Sequence, residues 1–248
     1  IWSQGNKALF NLADFDIILM RQDPPFDLAY ITATHFLESL PKKTRVINDP
    51  AGVRNAPEKI LVTQFPHLMA PTLMTRDAKA IAEFRDEHKD IIIKPIYGYA
   101  GHGIFHLREG DDNLPALVET LAEANPEPWI VQKYLPVHEV GDKRIILLDG
   151  EAVGGVCRMP AKGDMRGTLR TGARAEKLNF TKRDHEICEA LGPVMRERGL
   201  FFAGIDVIGD YLTEINVTSP TGIVSSDKLE GRTGKDRIAD QFWKKVLG

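Results

Sequence analysis

The chain has 248 residues, 43% hydrophobic and 27% charged, the balance of a soluble globular protein with room for one large domain or two smaller ones. Its formal net charge of −3 gives no general basic footprint for nucleic acid, and no apolar run is long enough to span a bilayer. The opening Ile1-Trp2-Ser3-Gln4-Gly5 lacks the charged and apolar regions of a signal peptide, and the two cysteines, Cys157 and Cys188, read as reduced thiols in a cytoplasmic protein.

Strands and helices alternate along the chain. Residues 16–20 read as a short buried strand, followed by the turn residues Asp23-Pro24-Pro25. Residues 29–40 have helical spacing, and 45–48 form another short strand closed by Asp49-Pro50. Pro57 suits the first turn of a helix through Glu58-Lys59-Ile60. Thr75-Arg76-Asp77 can cap a helix over 78–87, and residues 91–94 are a β-branched strand. A glycine-rich loop over 98–103 leads to a strand at 104–107, a helix at 114–123 and a strand at 129–132. Residues 143–148 and 153–159 read as a hairpin around Asp149-Gly150. Residues 160–176 are rich in Gly, Arg and Lys without periodicity, a length that marks a functional or disordered loop. Thr181 with Asp184 opens a helix that Gly199 ends; strands at 202–208 and 212–217 follow, and a last helix covers 236–246.

The loop 98–103 is not a P-loop, because no Gly-Lys-Ser/Thr follows and no helix opens. Its glycines can fold backbone amides over phosphates, with Lys94 adding charge, or simply turn a hairpin. Asp206, Glu214 and Asn216 lie on two neighbouring strands, and Glu214 and Asn216 share a face. Oxygen donors at that spacing suit magnesium completed by phosphates and water; a solvated strand face is the plainer reading. Arg144, Arg158, Lys162, Arg166, Arg170 and Arg174 gather near the irregular loop, where arginine can hold a carboxylate or phosphate by two bonds; Lys162 and Arg170 read as solvated. No Gly-x-Ser-x-Gly elbow occurs, and the histidines and cysteines make no zinc pattern.

In combination, several motifs resemble bacterial-type glutathione synthetase, an ATP-grasp ligase. They are Met20-Arg21-Gln22-Asp23-Pro24-Pro25-Phe26-Asp27, Pro57-Glu58-Lys59, Ile93-Lys94-Pro95, the glycine loop and Val131-Gln132-Lys133-Tyr134-Leu135-Pro136. Gly141-Asp142-Lys143-Arg144, Arg158-Met159-Pro160 and the run 204–221 complete the set. The resemblance implies an α/β ATP-grasp fold in which two α/β lobes clamp ATP. Residues 1–50 are then the end of an N-terminal substrate-binding (pre-ATP-grasp) domain, 51–136 the small lobe and 137–248 the catalytic lobe.

It further implies that Lys59 and Lys94 hold ATP phosphates, that Gly98, Tyr99, Gly101 and Gly103 cover them, and that Gln132, Tyr134 and Leu135 form the adenine hinge. Asp206, Glu214 and Asn216 would carry magnesium, with manganese as the alternative ion. Arg144 and Arg158 would be catalytic, approaching γ-glutamylcysteine or its reacting carboxylate together with Ser219 and Thr221. Glycine is the implied acceptor, residues 160–176 the implied lid, and a homo-oligomer in the cytoplasm the implied setting. The competing readings are another ATP-grasp carboxylate–amine ligase, such as one adding glutamate to a protein, and an ATP-binding regulatory module without turnover. Gly167-Thr168-Leu169-Arg170-Thr171-Gly172-Ala173 departs from the family's loop pattern and leaves that loop's detailed role open.

One expectation is geometric. A regular two-residue hairpin loop at Gly209-Asp210 pairs Ile208 with Tyr211 and turns Asp206 away from Glu214. For both carboxylates to reach one ion, the hairpin needs an odd loop or a bulge that shifts register by one.

Overall fold

Side chains that cap free amides set several of the helix starts. The computed structural model describes residues 5, 8–99, 101–124, 126–167 and 171–248. Strand β1 (Ile17–Leu19) pairs in parallel with β2 (Arg45–Ile47), and α1 (Leu28–Glu38), capped by the Asp27 carboxylate, connects them. Helix α2 (Pro50–Arg54) follows at once, with the Asp49 side chain accepting from Gly52 N and Pro50 in the first turn. The helix expected at Pro57 does not form: residues 58–60 turn and Leu61–Gln64 is a 3₁₀ segment. The proline that does open a helix is Pro50, which with Asp49 reads in the sequence as the close of a strand.

Four antiparallel strands in the order β3-β6-β4-β5 make the smaller sheet: β3 (Thr72–Thr75), β4 (Ile91–Pro95), β5 (Phe105–Leu107) and β6 (Trp129–Lys133). Helices α3 (Ala78–His88), capped by Asp77, and α4 (Leu114–Ala124) cover one face. Ile81, Ile91, Ile93, Trp129 and Val131 pack there, leaving Ile92, Lys94 and Gln132 on the opposite face.

A short α5 (Val137–Val140) leads into the larger sheet, ordered β11-β10-β7-β8-β9. Its strands are β7 (Asp142–Leu148), β8 (Glu151–Met159), β9 (Arg174–Lys177), β10 (Phe202–Ile208) and β11 (Tyr211–Asn216). Asp149 and Gly150 both have positive φ, 53° and 73°, as a tight β7–β8 turn requires. Strand β9 gives regular structure to the end of the segment 160–176, because its residues pair with Val156, Cys157, Arg158 and Met159 of β8. Residues 168–170 lie outside the described residues, so the lid expectation for that stretch, Arg170 included, is not addressed by the fold.

Helix α6 (Lys182–Glu197) opens with a complete capping box between Thr181 and Asp184. It packs Ile187, Leu191 and Met195 beneath the larger sheet against Ile145, Leu147, Ile205 and Ile215. Val53, Leu61, Val62, Phe65 and Leu68 join this same core. Helices α7 (Ile223–Glu230) and α8 (Ile238–Leu247) follow, and Ile238, Phe242 and Val246 of α8 cover Ile146, Leu148 and Phe202 on the other face. The sequence reading did not anticipate α7, which carries no side-chain N-cap.

Gly52 ties α2 to this core. An added Cβ would collide with the Arg198 carbonyl oxygen, a backbone atom that cannot swing aside. Alanine normally favours a helix over glycine by about 1 kcal/mol, but overpacking costs about 1–3 kcal/mol. Gly52→Ala is expected to destabilise the chain by about 1–2 kcal/mol, read as a lower urea midpoint with unchanged slope; an unchanged or higher midpoint would show that α2 can shift freely.

Candidate active site

The register of the β10–β11 hairpin decides what the larger sheet can bind. Ile208 pairs with Tyr211 around a two-residue turn, so the loop is not odd. The register then shifts between Asp206 and Val207: Val207 pairs with Leu212 and Asp206 with Glu214, leaving Thr213 as the extra residue of a bulge. The Thr213 hydroxyl donates to the Asp206 carbonyl at 3.1 Å. The bulge, one of the two expected solutions, puts Asp206, Glu214 and Asn216 on one face.

That face continues across the sheet. Arg144 lies opposite Asp206, and Arg158 opposite Asp142. The Asp206 carboxylate accepts from Arg144 Nε at 2.5 Å and Nη2 at 2.8 Å, with Arg158 Nη2 at 3.0 Å. The Asn216 amide donates to Asp206 Oδ2 at 3.3 Å. Burial alone would raise the Asp206 pKa, but the two guanidinium groups outweigh it and hold it at about 2. Asp142 pairs with Arg158 at 2.5 Å, yet burial beside Asp206 pushes its pKa up to about 6, and its Oδ1 has no partner.

Lys59 approaches from the turn after Pro57, which a Glu58 carbonyl bond to Ile215 N fixes against β11. Its Nζ donates to Glu58 Oε1 at 2.9 Å and to the Gly98 carbonyl at 2.5 Å, with Glu214 Oε1 at 3.5 Å. Burial opposes the ammonium charge, but Glu214 and Glu58 prevail and raise its pKa. Lys94 is buried, and desolvation, only partly offset by Glu214, lowers its pKa.

Apart from Lys59 and Gly98, these groups line a cleft of about 800 Å³ between the two sheets. Lys94, Tyr99, Gly101, Gln132, Tyr134, Leu135, Arg144, Arg158, Asp206, Glu214, Asn216, Ser219 and Thr221 all line it. Lys59, Gly98 and Gly103 stand behind its wall, the glycines folding the loop over Pro95. Ala100 of that loop lies outside the described residues. Sequence reasoning gave no role to Glu58, Asp142, Thr213 and Ile92, which also line the cleft. Asp142 was quoted in the same motif as Arg144, two residues before it, but nothing local announced its burial. Arg21 was quoted without a role as well: its Nη2 donates to the Pro220 carbonyl at 3.0 Å, between Ser219 and Thr221.

Among the described residues no group of three or more His, Cys, Asp or Glu could hold a metal ion. The donor set here is different: two opposed carboxylates and one amide oxygen on one face. Such hard oxygens fit magnesium, which takes few protein ligands and completes its shell with phosphate and water. No helix among the described residues is long and apolar enough to cross a membrane.

Comparison with known proteins identifies the family. The family model for the prokaryotic glutathione synthetase ATP-grasp domain matches residues 58–231, and that for the same family's N-terminal domain matches residues 1–54. The chain belongs to the prokaryotic glutathione synthetase family. The glutathione synthetase of Mesorhizobium japonicum is 53% identical over 247 residues, covering 100% of this chain and 78% of that protein. That of Agrobacterium fabrum is 52% identical over 98% of this chain and 76% of its own length. The crystal structure of D-cycloserine synthetase DcsG superposes with a TM-score of 0.75 at 15% identity, over 98% of this chain and 87% of that one. The ATP-grasp ligase PsnB, solved with a precursor variant, Mg and ADP, gives 0.64 at 17% identity over 94% and 77%. At that identity both describe the shared ATP-grasp fold. Membership in the family makes the chain an ATP-dependent ligase.

The Asp206 cluster gives the family member an acid-sensitive core. A carboxylate depressed from 3.8 to about 2 contributes stability that is fully present above 3.8 and is lost as pH falls through about 2. Asp142, raised from 3.8 to about 6, runs the other way: its contribution is present below 3.8 and lost as pH rises through about 6. The ligand-free chain is expected to lose stability as pH drops from 3.8 toward 2, with a shallower acid limb in Asp206→Asn. Urea midpoints across that range check it; identical limbs in both proteins would refute the assignment.

Proposed function

We propose that the cleft joins γ-glutamylcysteine to glycine, with ATP converted to ADP and phosphate through an acyl phosphate. The observation that carries this reading is the row Glu214, Asn216, Asp206, Arg144 and Arg158 across one sheet face, opposite Lys94 and Gln132 of the other sheet. A carboxylate is a poor acyl donor. Transfer of the γ-phosphoryl group to the cysteine carboxylate of γ-glutamylcysteine makes phosphate the leaving group. The glycine nitrogen then attacks that carbonyl carbon, forming the amide bond, expelling phosphate and losing its proton.

The protein's part is positioning and charge neutralisation. Lys59 and Lys94 attract the phosphates while the glycine loop, held by the Lys59 bond to Gly98, folds above them. Gln132, Tyr134 and Leu135 receive the base. Arg144 and Arg158 hold the reacting carboxylate, and Ser219 and Thr221, steadied by Arg21, contact the peptide. Asp206, Glu214 and Asn216 would hold magnesium, or manganese, which neutralises phosphate charge when bound. The part of 160–176 that precedes β9 forms the lid, and there Arg166 already lies along Gly101 of the glycine loop.

The test is ADP release from the chain with magnesium. Stimulation that needs both γ-glutamylcysteine and glycine is expected, with glutathione formed. Stimulation by a protein or peptide plus glutamate instead, or ATP binding that no acceptor stimulates, would overturn the reading.

A further inference from the structure

We propose that Thr72 is a positioning residue that sets nucleotide-base specificity, by fixing which end of the Gln132 amide faces the cleft. The inference rests on the reading of this cleft as a nucleoside triphosphate site. Thr72 and Gln132 are directly paired residues of β3 and β6, and Ile92 of β4 pairs with Gln132 on its other side. Gln132 is buried at 5% exposure, so its amide meets its neighbours at fixed positions.

The bonding is directional. The Thr72 hydroxyl has one proton, and it donates that proton to the Ala70 carbonyl at 2.8 Å. Its oxygen is then left only as an acceptor, and Gln132 Nε2 donates to it at 2.8 Å. With the nitrogen end committed to Thr72, Oε1 is the end left for a ligand, and among the described residues no donor satisfies it. Turning the amide over would face Oε1 to a hydroxyl oxygen whose proton points elsewhere, leaving buried polar atoms unpaired.

A carbonyl oxygen presented on a rigid strand selects a donor. Adenine carries an exocyclic amine, a donor, where guanine carries an oxygen, an acceptor. The relay from the Ala70 carbonyl through Thr72 to Gln132 therefore favours an adenine nucleotide and sets acceptor against acceptor for a guanine nucleotide. Valine at position 72 keeps the shape and β-branching but removes both the proton and the acceptor, so the amide can turn either way.

The experiment measures ATP and GTP affinity by calorimetry on the full chain, together with steady-state KM and kcat for both nucleotides. Wild type is expected to prefer ATP. Thr72→Val and Thr72→Ala are expected to lower the ATP-to-GTP affinity ratio by about tenfold or more, the size of one hydrogen bond, with the loss in KM rather than kcat. Thr72→Ser keeps the hydroxyl and is expected to keep the ratio. Wild type without a preference, a ratio retained in both Thr72→Val and Thr72→Ala, or an equal loss in Thr72→Ser would overturn the proposal. Should wild type prefer ATP and respond as above while γ-glutamylcysteine and glycine give no turnover, the proposed reaction falls and the base-selecting relay stands.

Discussion

Glu214→Gln is expected to lower turnover by about 10²- to 10³-fold while the fold stays intact, the scale on which loss of one preorganised charge-stabilising group acts. Glu214 is 21% exposed at the cleft wall, but its charge also partly offsets the desolvation of buried Lys94, so a modest stability cost is expected beside the loss of turnover. Lys59 keeps Glu58 at 2.9 Å and the Gly98 carbonyl as partners. What disappears is one of the two carboxylates opposed across the bulge. Asp206→Asn is a less clean experiment, because it leaves the buried Arg144 and Arg158 short of their shared counter-charge and costs stability as well. ADP release in magnesium, beside a urea midpoint, separates the two effects. Near-normal activity in Glu214→Gln would remove the metal role from this face.

Asp184→Ala is expected to cost about 3–5 kcal/mol of stability, the largest loss from any single side chain discussed here. Asp184 has no solvent exposure, and both its oxygens accept from Lys143 Nζ at 2.8 Å. Its Oδ2 also accepts from the Thr181 amide at 2.8 Å, closing the capping box of α6. Removing it strands a buried ammonium on β7 and opens the start of the helix under the sheet. Lys143→Met should be similarly costly, whereas the double replacement Lys143→Met with Asp184→Leu should recover part of the loss, since an apolar pair needs no desolvated charge. Urea unfolding of wild type, Lys143→Met, Asp184→Leu and the double replacement gives the coupling. A loss under about 1 kcal/mol in Asp184→Ala would place the pair among solvent-screened ones.

Local rules made much of this fold readable. Asp77 and Thr181 start helices where hydroxyl or carboxylate caps were expected, and Asp149-Gly150 turns a hairpin because both positions need positive φ. The family resemblance likewise rests on contiguous motifs, and the family models match the chain over the same stretches. Misreadings came where two local signals competed. Pro57 reads as a helix start and Asp49-Pro50 as the close of a strand, yet the helix opens at Pro50, where the Asp49 carboxylate caps it despite Gly52. Strand β3 is short and lies at the sheet's edge, and its pattern only makes sense once β6 supplies a partner for each residue.

By itself, the sequence determined the alternation of elements, the caps and turns, the family, and that Asp206 and Glu214 could share a face only through an odd loop or a bulge. These follow from interactions within a few residues, or from strand alternation counted along the chain. Tertiary structure alone decided that the solution is the Thr213 bulge, that Asp142 and Glu58 enter the cleft, that Lys143 finds Asp184, and that Thr72 orients Gln132. Each depends on which strand lies beside which and on how much water the packing removes. Partners 41 or 60 residues apart leave no periodicity to read. Only once the sheets bring them together does burial make an unpaired charge or hydroxyl costly enough to fix their geometry.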